Sequence, residues 1–352
     1  MKGKILKTLA STGILTAGLV LAGCADDQSE EVTETLVDGD EIELTYVNWD
    51  TELASTHVVG QVLEDVGYDV TLTSVESPIM WQSIASGESD AMVAGWLPYT
   101  HAGEFEQYGD DIVSLGINYE DALIGLVVPE YMEGLDSIED LDDQIEDKTI
   151  VGIERGAGTV EAAERALEDY GKEDWEVIAS SSGAMVTELR QAINNEEDII
   201  VTGWTPHWKF IEFDLKMLDD PKNSFGESEY IETFAREGFT EDHPVAATIL
   251  GNFYWEQEEF ESVMLDINEG VEEDQAAKNF IQDNPELVES WLEGAEEAAE
   301  TGQAVGVSEE KDQGSQGQGD LPTPGEDGEE GDQEEDPEAD QDGEEADDQE
   351  AG

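Results

Sequence analysis

Positive charge is scarce in this chain of 352 residues: 14 Lys and Arg stand against 90 Asp and Glu, for a net charge of −76 at pH 7. The shortage excludes nucleic acid as a partner, because binding a phosphate backbone depends on clustered Lys and Arg that release counterions. Electrostatic adhesion to anionic lipid is excluded too, so membrane attachment has to be covalent or apolar. Cysteine occurs once, at Cys24, which rules out an intramolecular disulfide. The four histidines, His57, His101, His207 and His243, have no metal-ligand spacing and no cysteine beside them, so neither metal nor cofactor is expected. Nucleophile-elbow, phosphate-loop and zinc motifs are missing, and among so many carboxylates no pair stands out as acid and base; the chain does not read as an enzyme.

Lys2, Lys4 and Lys7 precede an uncharged apolar stretch, Leu9 to Leu21, which is too short for a comfortable bilayer span of about 20 residues. Residues 1–23 therefore read as a secretory signal peptide. They lead into Leu21-Ala22-Gly23-Cys24, which resembles a bacterial lipobox and implies that Cys24 carries diacylglycerol as the first residue of the mature chain. An extracytoplasmic protein, held at the membrane through Cys24, is expected. Residues 24–40 are acidic and Ser/Thr-rich and are expected to form a flexible tether. Residues 301–352 have almost no hydrophobics to offset the entropy of ordering and are expected to be a disordered acidic tail.

Between these ends one phrase is written twice. Gly95-Trp96-Leu97-Pro98-Tyr99-Thr100-His101 is matched by Gly203-Trp204-Thr205-Pro206-His207-Trp208, and upstream Trp49-Asp50 before Ala54-Ser55-Thr56 is matched by Ile153-Glu154 before Ala157-Gly158-Thr159. About sixty residues thus recur at a spacing of roughly a hundred, the mark of two similar lobes. Hydrophobic periodicity predicts β-α-β-α-β in each copy: strands over 42–47, 69–75 and 91–94 with helices over 51–66 and 78–85, then strands over 148–153, 175–179 and 199–202 with helices over 159–170 and 184–194. The apolar run 122–128 and the segment 231–234 are expected to cross between lobes. Helices over 244–299, with Trp255 and Trp291 in their core, are expected to complete the first lobe. The fold class is α/β, two lobes closing like a hinge, each a mostly parallel sheet with flanking helices: residues 41–128 plus 235–300, and 129–234.

Trp49-Asp50, Gly95-Trp96-Leu97-Pro98, Gly125-Leu126-Val127-Val128-Pro129 and Gly203-Trp204-Thr205-Pro206-His207-Trp208, in that order, resemble the glycine betaine-binding lipoproteins of osmoprotectant ABC importers. The resemblance implies a receptor that hands its ligand to a membrane permease. Carried across motif by motif, it places Trp49, Trp96 and Trp204 in a box around a trimethylammonium group, with the ligand carboxylate on the backbone N–H groups of Gly158 and Thr159 and on the His101 side chain. The chemistry is sound on its own terms, since a quaternary ammonium has no N–H to donate and indole faces attract it by charge. A helix opening at Gly158 offers unpaired N–H groups to an anion. The sequence leaves open whether Tyr99 and Trp208 line the cleft. It also leaves open a receptor for choline or another compatible solute, and a sensory surface lipoprotein without a transport role. A monomer is expected.

Acids cover the folded part as well as the tail, which reads as the surface of a halophile. Screening shortens from about 10 Å at 0.1 M salt to about 3 Å at 1 M, so repulsion between them weakens and the melting temperature is expected to climb over that range. A flat or falling melting curve, followed by circular dichroism, contradicts the halophilic reading.

Overall fold

Residues 35–307, apart from 142–144 and 146, are described by the computed structural model. All belong to the unit Met1–Lys311, and the unit Asp312–Gly352 is outside the described residues. So are the signal peptide, Cys24 and the first part of the tether.

The chain opens with β1 (Glu41–Tyr46), α1 (Asp50–Asp65), β2 (Asp69–Ser74), α2 (Ser77–Ser86), β3 (Ala91–Leu97) and α3 (Ala102–Tyr108). Helix α1 starts with Asp50 and Glu52 in its first turn, where carboxylates favour the positive end of the helix dipole. It buries Val58, Val59, Val62 and Leu63. Gly67 follows its end at φ +112°, and a Cβ there would lie 2.1 Å from the Val37 carbonyl oxygen, so glycine alone fits. The segment crowding it is ordered: Leu36 N–H donates to Val66 O at 2.8 Å and Gly39 N–H to Gly67 O at 2.9 Å. The flexible tether expected through residue 40 therefore ends earlier, because these residues cap the end of α1.

Next come β4 (Ile112–Pro129), β5 (Thr149–Gly152), α4 (Gly158–Asp169), β6 (Glu176–Ala179), α5 (Ser182–Asn195), β7 (Val201–Thr205), α6 (Lys209–Glu212), β8 (Leu215–Met217) and β9 (Glu229–Arg236). The strand order is β2-β1-β3-β9-β4-β7-β5-β6, with β8 beside β4. The predicted parallel cores are both present, β1 pairing with β2 and β3, and β5 with β6 and β7. Strands β9 and β4 run antiparallel through the middle. β4 pairs with β9 from Ile112 to Ala122 and with β7 from Leu123 to Val127, so one strand serves both lobes. The sequence signals only its second half. Register shifts between Ser114 and Gly116 and again between Ile117 and Tyr119 break the alternation that would reveal the first.

The chain closes with α7 (Phe239–Asp242), α8 (Pro244–Asn252), α9 (Gln257–Asn268), α10 (Glu273–Asp283), α11 (Pro285–Trp291) and α12 (Ala295–Thr301). Helices α9 and α10 pack on α1, and α8 on β4. Structure continues past residue 300, where the tail is expected to begin: Ala304, Val305 and Val307 pack on the core and Val305 N–H donates to Thr248 Oγ1 at 2.8 Å.

Trp255 and Trp291 are core residues. Trp255 stacks on Phe260 at 4.1 Å, Trp291 meets Phe253 at 4.9 Å, and the Trp291 indole N–H donates to Tyr254 O at 2.8 Å. Truncating such a residue costs about 3–5 kcal/mol. Trp291→Ala should therefore lower the melting temperature by several degrees in calorimetry; a variant that melts with the parent contradicts this packing role.

Candidate ligand-binding site

Four structural positions, two from each lobe, converge on one cavity. In the first lobe, Trp49 stands between β1 and α1 as the residue preceding that helix, and Trp96 lies near the carboxyl end of β3. In the second, Gly158 and Thr159 open α4 just beyond β5, and Trp204 lies near the carboxyl end of β7. Both Trp-bearing turns continue into a cis proline, at Leu97-Pro98 and Thr205-Pro206. The carboxyl ends of parallel strands are where open α/β sheets bind ligands.

The cavity is small: the space between these residues, counted together with the solvent at its opening, is about 280 Å³. Trp49, Trp96 and Trp204 line it together with Gly158 and Thr159. Thr51, Thr100, Ile124, Ile153 and Ala157, which the sequence did not single out, complete its wall, and no charged side chain is among them. All three tryptophans are buried. The Thr159 hydroxyl is buried without a hydrogen-bond partner among the described residues, although only the backbone of this residue was expected to contribute. The first N–H groups of α4 have no intrahelical acceptor by virtue of their position.

His101 is the one expected site residue that is not part of the wall. It is fully buried, stacked beside Trp49 with ring centroids 6.1 Å apart and edge-on to Trp81 at 5.5 Å. Burial pushes its pKa down to about 3, so the ring is neutral. Its Nδ1 lies 3.1 Å from the Trp96 backbone N–H, a hydrogen bond to the Ala94 backbone opposes the effect of burial, and Nε2 is buried without a partner among the described residues.

Carboxylates hold the indoles from outside the cavity. Trp96 Nε1–H donates to Glu52 Oε1 at 2.9 Å, and Trp49 Nε1–H to Glu154 Oε1 across the lobes. Trp208, whose place the sequence left open, packs behind the wall and donates Nε1–H to Asp50 Oδ1 at 2.6 Å, again across the lobes. Asp50 also accepts from Ser182 Oγ at 3.0 Å and faces His207 Nε2 at 3.4 Å. Burial works against the Asp50 charge, but His207, Trp208 and Lys209 together hold its carboxyl well below the usual range. Burial pushes His207 down to about 4 and Lys209 down to about 7. The Lys209 amine lies 4.3 Å from the Trp204 ring centroid. Tyr99 packs on Gly226 rather than lining the cavity. Its turn is pinned by buried Glu229, which accepts the N–H of Tyr99 at 2.8 Å and of Thr100 at 2.6 Å.

Two α/β lobes joined by crossing strands, with a small aromatic cavity between them, define a hinge-closing solute-binding protein of the type II periplasmic kind. The chain belongs, more narrowly, to the family described as the substrate binding domain of ABC-type glycine betaine transport systems, which matches residues 40–283. It is 46% identical over 163 residues to the glycine betaine/carnitine transport binding protein GbuC of Listeria monocytogenes, a match that covers 46% of this chain and 54% of that protein. The chain thus spans about half the length of that relative. Lactococcal OpuAC, solved in its closed-liganded conformation with glycine betaine, is 43% identical, with a TM-score of 0.70 over 72% of this chain and 99% of that one. The glycine betaine, L-proline-binding protein ProX of Borrelia burgdorferi is 34% identical, with a TM-score of 0.70 over 74% of this chain and 100% of that one. A choline-binding protein solved with choline, at 22% identity and TM-score 0.68, shares the fold over 74% of this chain and 96% of its own.

Gly158 touches the other lobe so closely that a Cβ on it would lie 2.2 Å from the Thr100 carbonyl oxygen. Contacts that short have to open, so Gly158→Ala should keep the lobes from meeting and weaken ligand binding at least about tenfold, with little change in the melting temperature of the ligand-free protein. Calorimetric titration beside melting checks this; unchanged affinity means that the closed contact is not used.

Proposed function

We propose that this protein captures glycine betaine or a close betaine between its lobes and delivers it to the permease of an ABC importer. Three tryptophans lining one small cavity together with Gly158 and Thr159, the residues that open α4, are the observation that carries this reading. Each desolvated cation–ring contact contributes about 0.5–2 kcal/mol, so three supply at most about 6 of the roughly 8 kcal/mol of micromolar binding, and the rest falls to the carboxylate donors. The Gly158 and Thr159 N–H groups, the Thr159 hydroxyl and the His101 side chain are the donors for the carboxylate. The names of the Listeria and lactococcal relatives support the choice of ligand.

The lobes in this reading are residues 41–128 plus 235–300 and residues 129–234, moving about the strands that cross between them. Signal peptide 1–23 directs export, and lipidated Cys24 holds a monomeric, halophilic receptor at the extracytoplasmic face. It carries out no chemistry and needs no cofactor. Choline is the second reading, favoured by the same aromatic box but not by the donors at its far end.

Titration of the mature protein at high salt with glycine betaine and choline separates the two. Betaine is expected to bind about ten to a hundred times tighter, since choline leaves charge-matched donors poorly paired. Trp96→Ala and Trp204→Ala should weaken both ligands by roughly one to three powers of ten, whereas His101→Ala should weaken betaine more than choline. Equal binding of the two ligands puts the choline receptor ahead, and unaffected binding in both tryptophan variants removes the box.

A further inference from the structure

A cavity lined by rings and small residues fits an apolar knob as well as a cation. The trimethylammonium of a betaine and a tert-butyl group have the same shape, and no charged side chain in the wall tells them apart. The ring faces supply part of the discrimination through their quadrupoles, and charge one layer further out can add to it. Glu52 sits there. It is 1% exposed in the first turn of α1, and its two carboxylate oxygens have separate partners: Oε1 accepts the Trp96 indole N–H at 2.9 Å and Oε2 the Thr51 hydroxyl at 2.5 Å. Both partners line the cavity, so Glu52 is tied to its wall at two points without entering it.

We propose that Glu52 is a specificity-determining residue of this site, whose carboxylate acts through the Trp96 indole to select a permanent cation over an uncharged group of the same shape. An acceptor charge on the N–H edge of an indole pushes electron density toward the ring face, which deepens the attraction for a cation on that face. The carboxylate adds its own field, unscreened because water is excluded. Neither effect reaches an uncharged knob. A neutral acceptor at this position would serve to orient the ring equally well, so the burial of a carboxylate without a basic partner among the described residues is what orientation alone leaves unexplained.

The charge state supports the geometry. Burial raises the Glu52 pKa to about 7, against the pull of the Thr51 and Trp96 hydrogen bonds, and Asp50 on the same turn raises it further. His207 and Lys209 of the second lobe act on Asp50. Glu52 is therefore mostly ionised in mildly alkaline buffer, and a bound cation favours that form.

The inference rests on the reading of Trp96 as a wall of a cation box, and its test keeps the two apart. The probes are glycine betaine and tert-butylacetate, in which carbon replaces the quaternary nitrogen so that shape and carboxylate are kept and the positive charge is lost. Both are titrated calorimetrically in mildly alkaline, high-salt buffer, and the ratio of their affinities is the readout. Glu52→Gln keeps an acceptor for the Trp96 N–H and should lower that ratio about tenfold by weakening betaine alone. Glu52→Asp keeps the charge and should leave the ratio near the parent value even where both affinities fall; it also serves if Glu52→Gln does not fold. A merely structural role weakens both ligands alike, so an unchanged ratio in Glu52→Gln, or an equal drop in the ratio for Glu52→Asp, overturns the proposal. Trp96→Ala, run alongside, separates the failures. If it weakens betaine while the Glu52→Gln ratio is unchanged, only the role of Glu52 is lost; if it leaves betaine binding intact, the box is lost and the proposal with it.

Discussion

The hydrogen bond from an indole N–H to a carboxylate is the interaction that organises this cleft. It occurs three times, from Trp49 to Glu154, from Trp96 to Glu52 and from Trp208 to Asp50. Charge-assisted bonds of this kind are roughly twice as strong as neutral ones, and each fixes the plane of a ring as well as its position. Two of the three run between lobes, so the bonds that orient the rings also hold the halves together. Trp204 is the exception. Its N–H has no partner among the described residues, and a lysine amine rather than a carboxylate lies against its ring.

Shared strands limit what the lobes can do. β4 pairs with β9 in one sheet and with β7 in the other, and it carries Ile124, a cavity residue, just past the point where it changes sheets. The segment that joins the two sheets is thus also part of the cavity wall. Gly158 and Thr100 meet at the other side with no room for a methyl group. Rigid parts on both sides of a narrow gap allow one closed arrangement, which is how a receptor with few polar contacts attains selectivity.

Much of this was legible in the chain. The repeated turns single out Trp96 and Trp204, the family resemblance adds Trp49 and the reading of a box, and the structure brings Trp49, Trp96 and Trp204 to one cavity with Gly158 and Thr159, whose occupancy by a ligand is the proposal. What escaped has physical reasons. Glu52 and Glu154 carry no mark in a sequence with 90 acids, since their roles follow from burial and from what they face. The first half of β4 hides behind shifted registers. Leu36 to Gly39 resemble a linker in composition, and only their hydrogen bonds to Val66 and Gly67 reveal a cap. His101 was found by its place in a motif, but its position behind Trp49 depends on the stacking of three side chains from separate elements.

That cap fixes where the segment leading from Cys24 joins the folded part. Leu36 is fastened at the carboxyl end of α1, whereas Trp49 and Asp50 stand at its amino end, and a helix of 16 residues separates the two by about 24 Å. With Cys24 as the proposed anchor, the line to the membrane is made fast at the stern and the mouth points away from the mooring. Tension on that line is borne by the backbone beside Gly67 and never by the tryptophans. With the proposed anchor at Cys24, twelve residues lead to Leu36, a contour length of about 40 Å, longer than α1 itself, so such a mooring does not by itself fix which way the cleft faces.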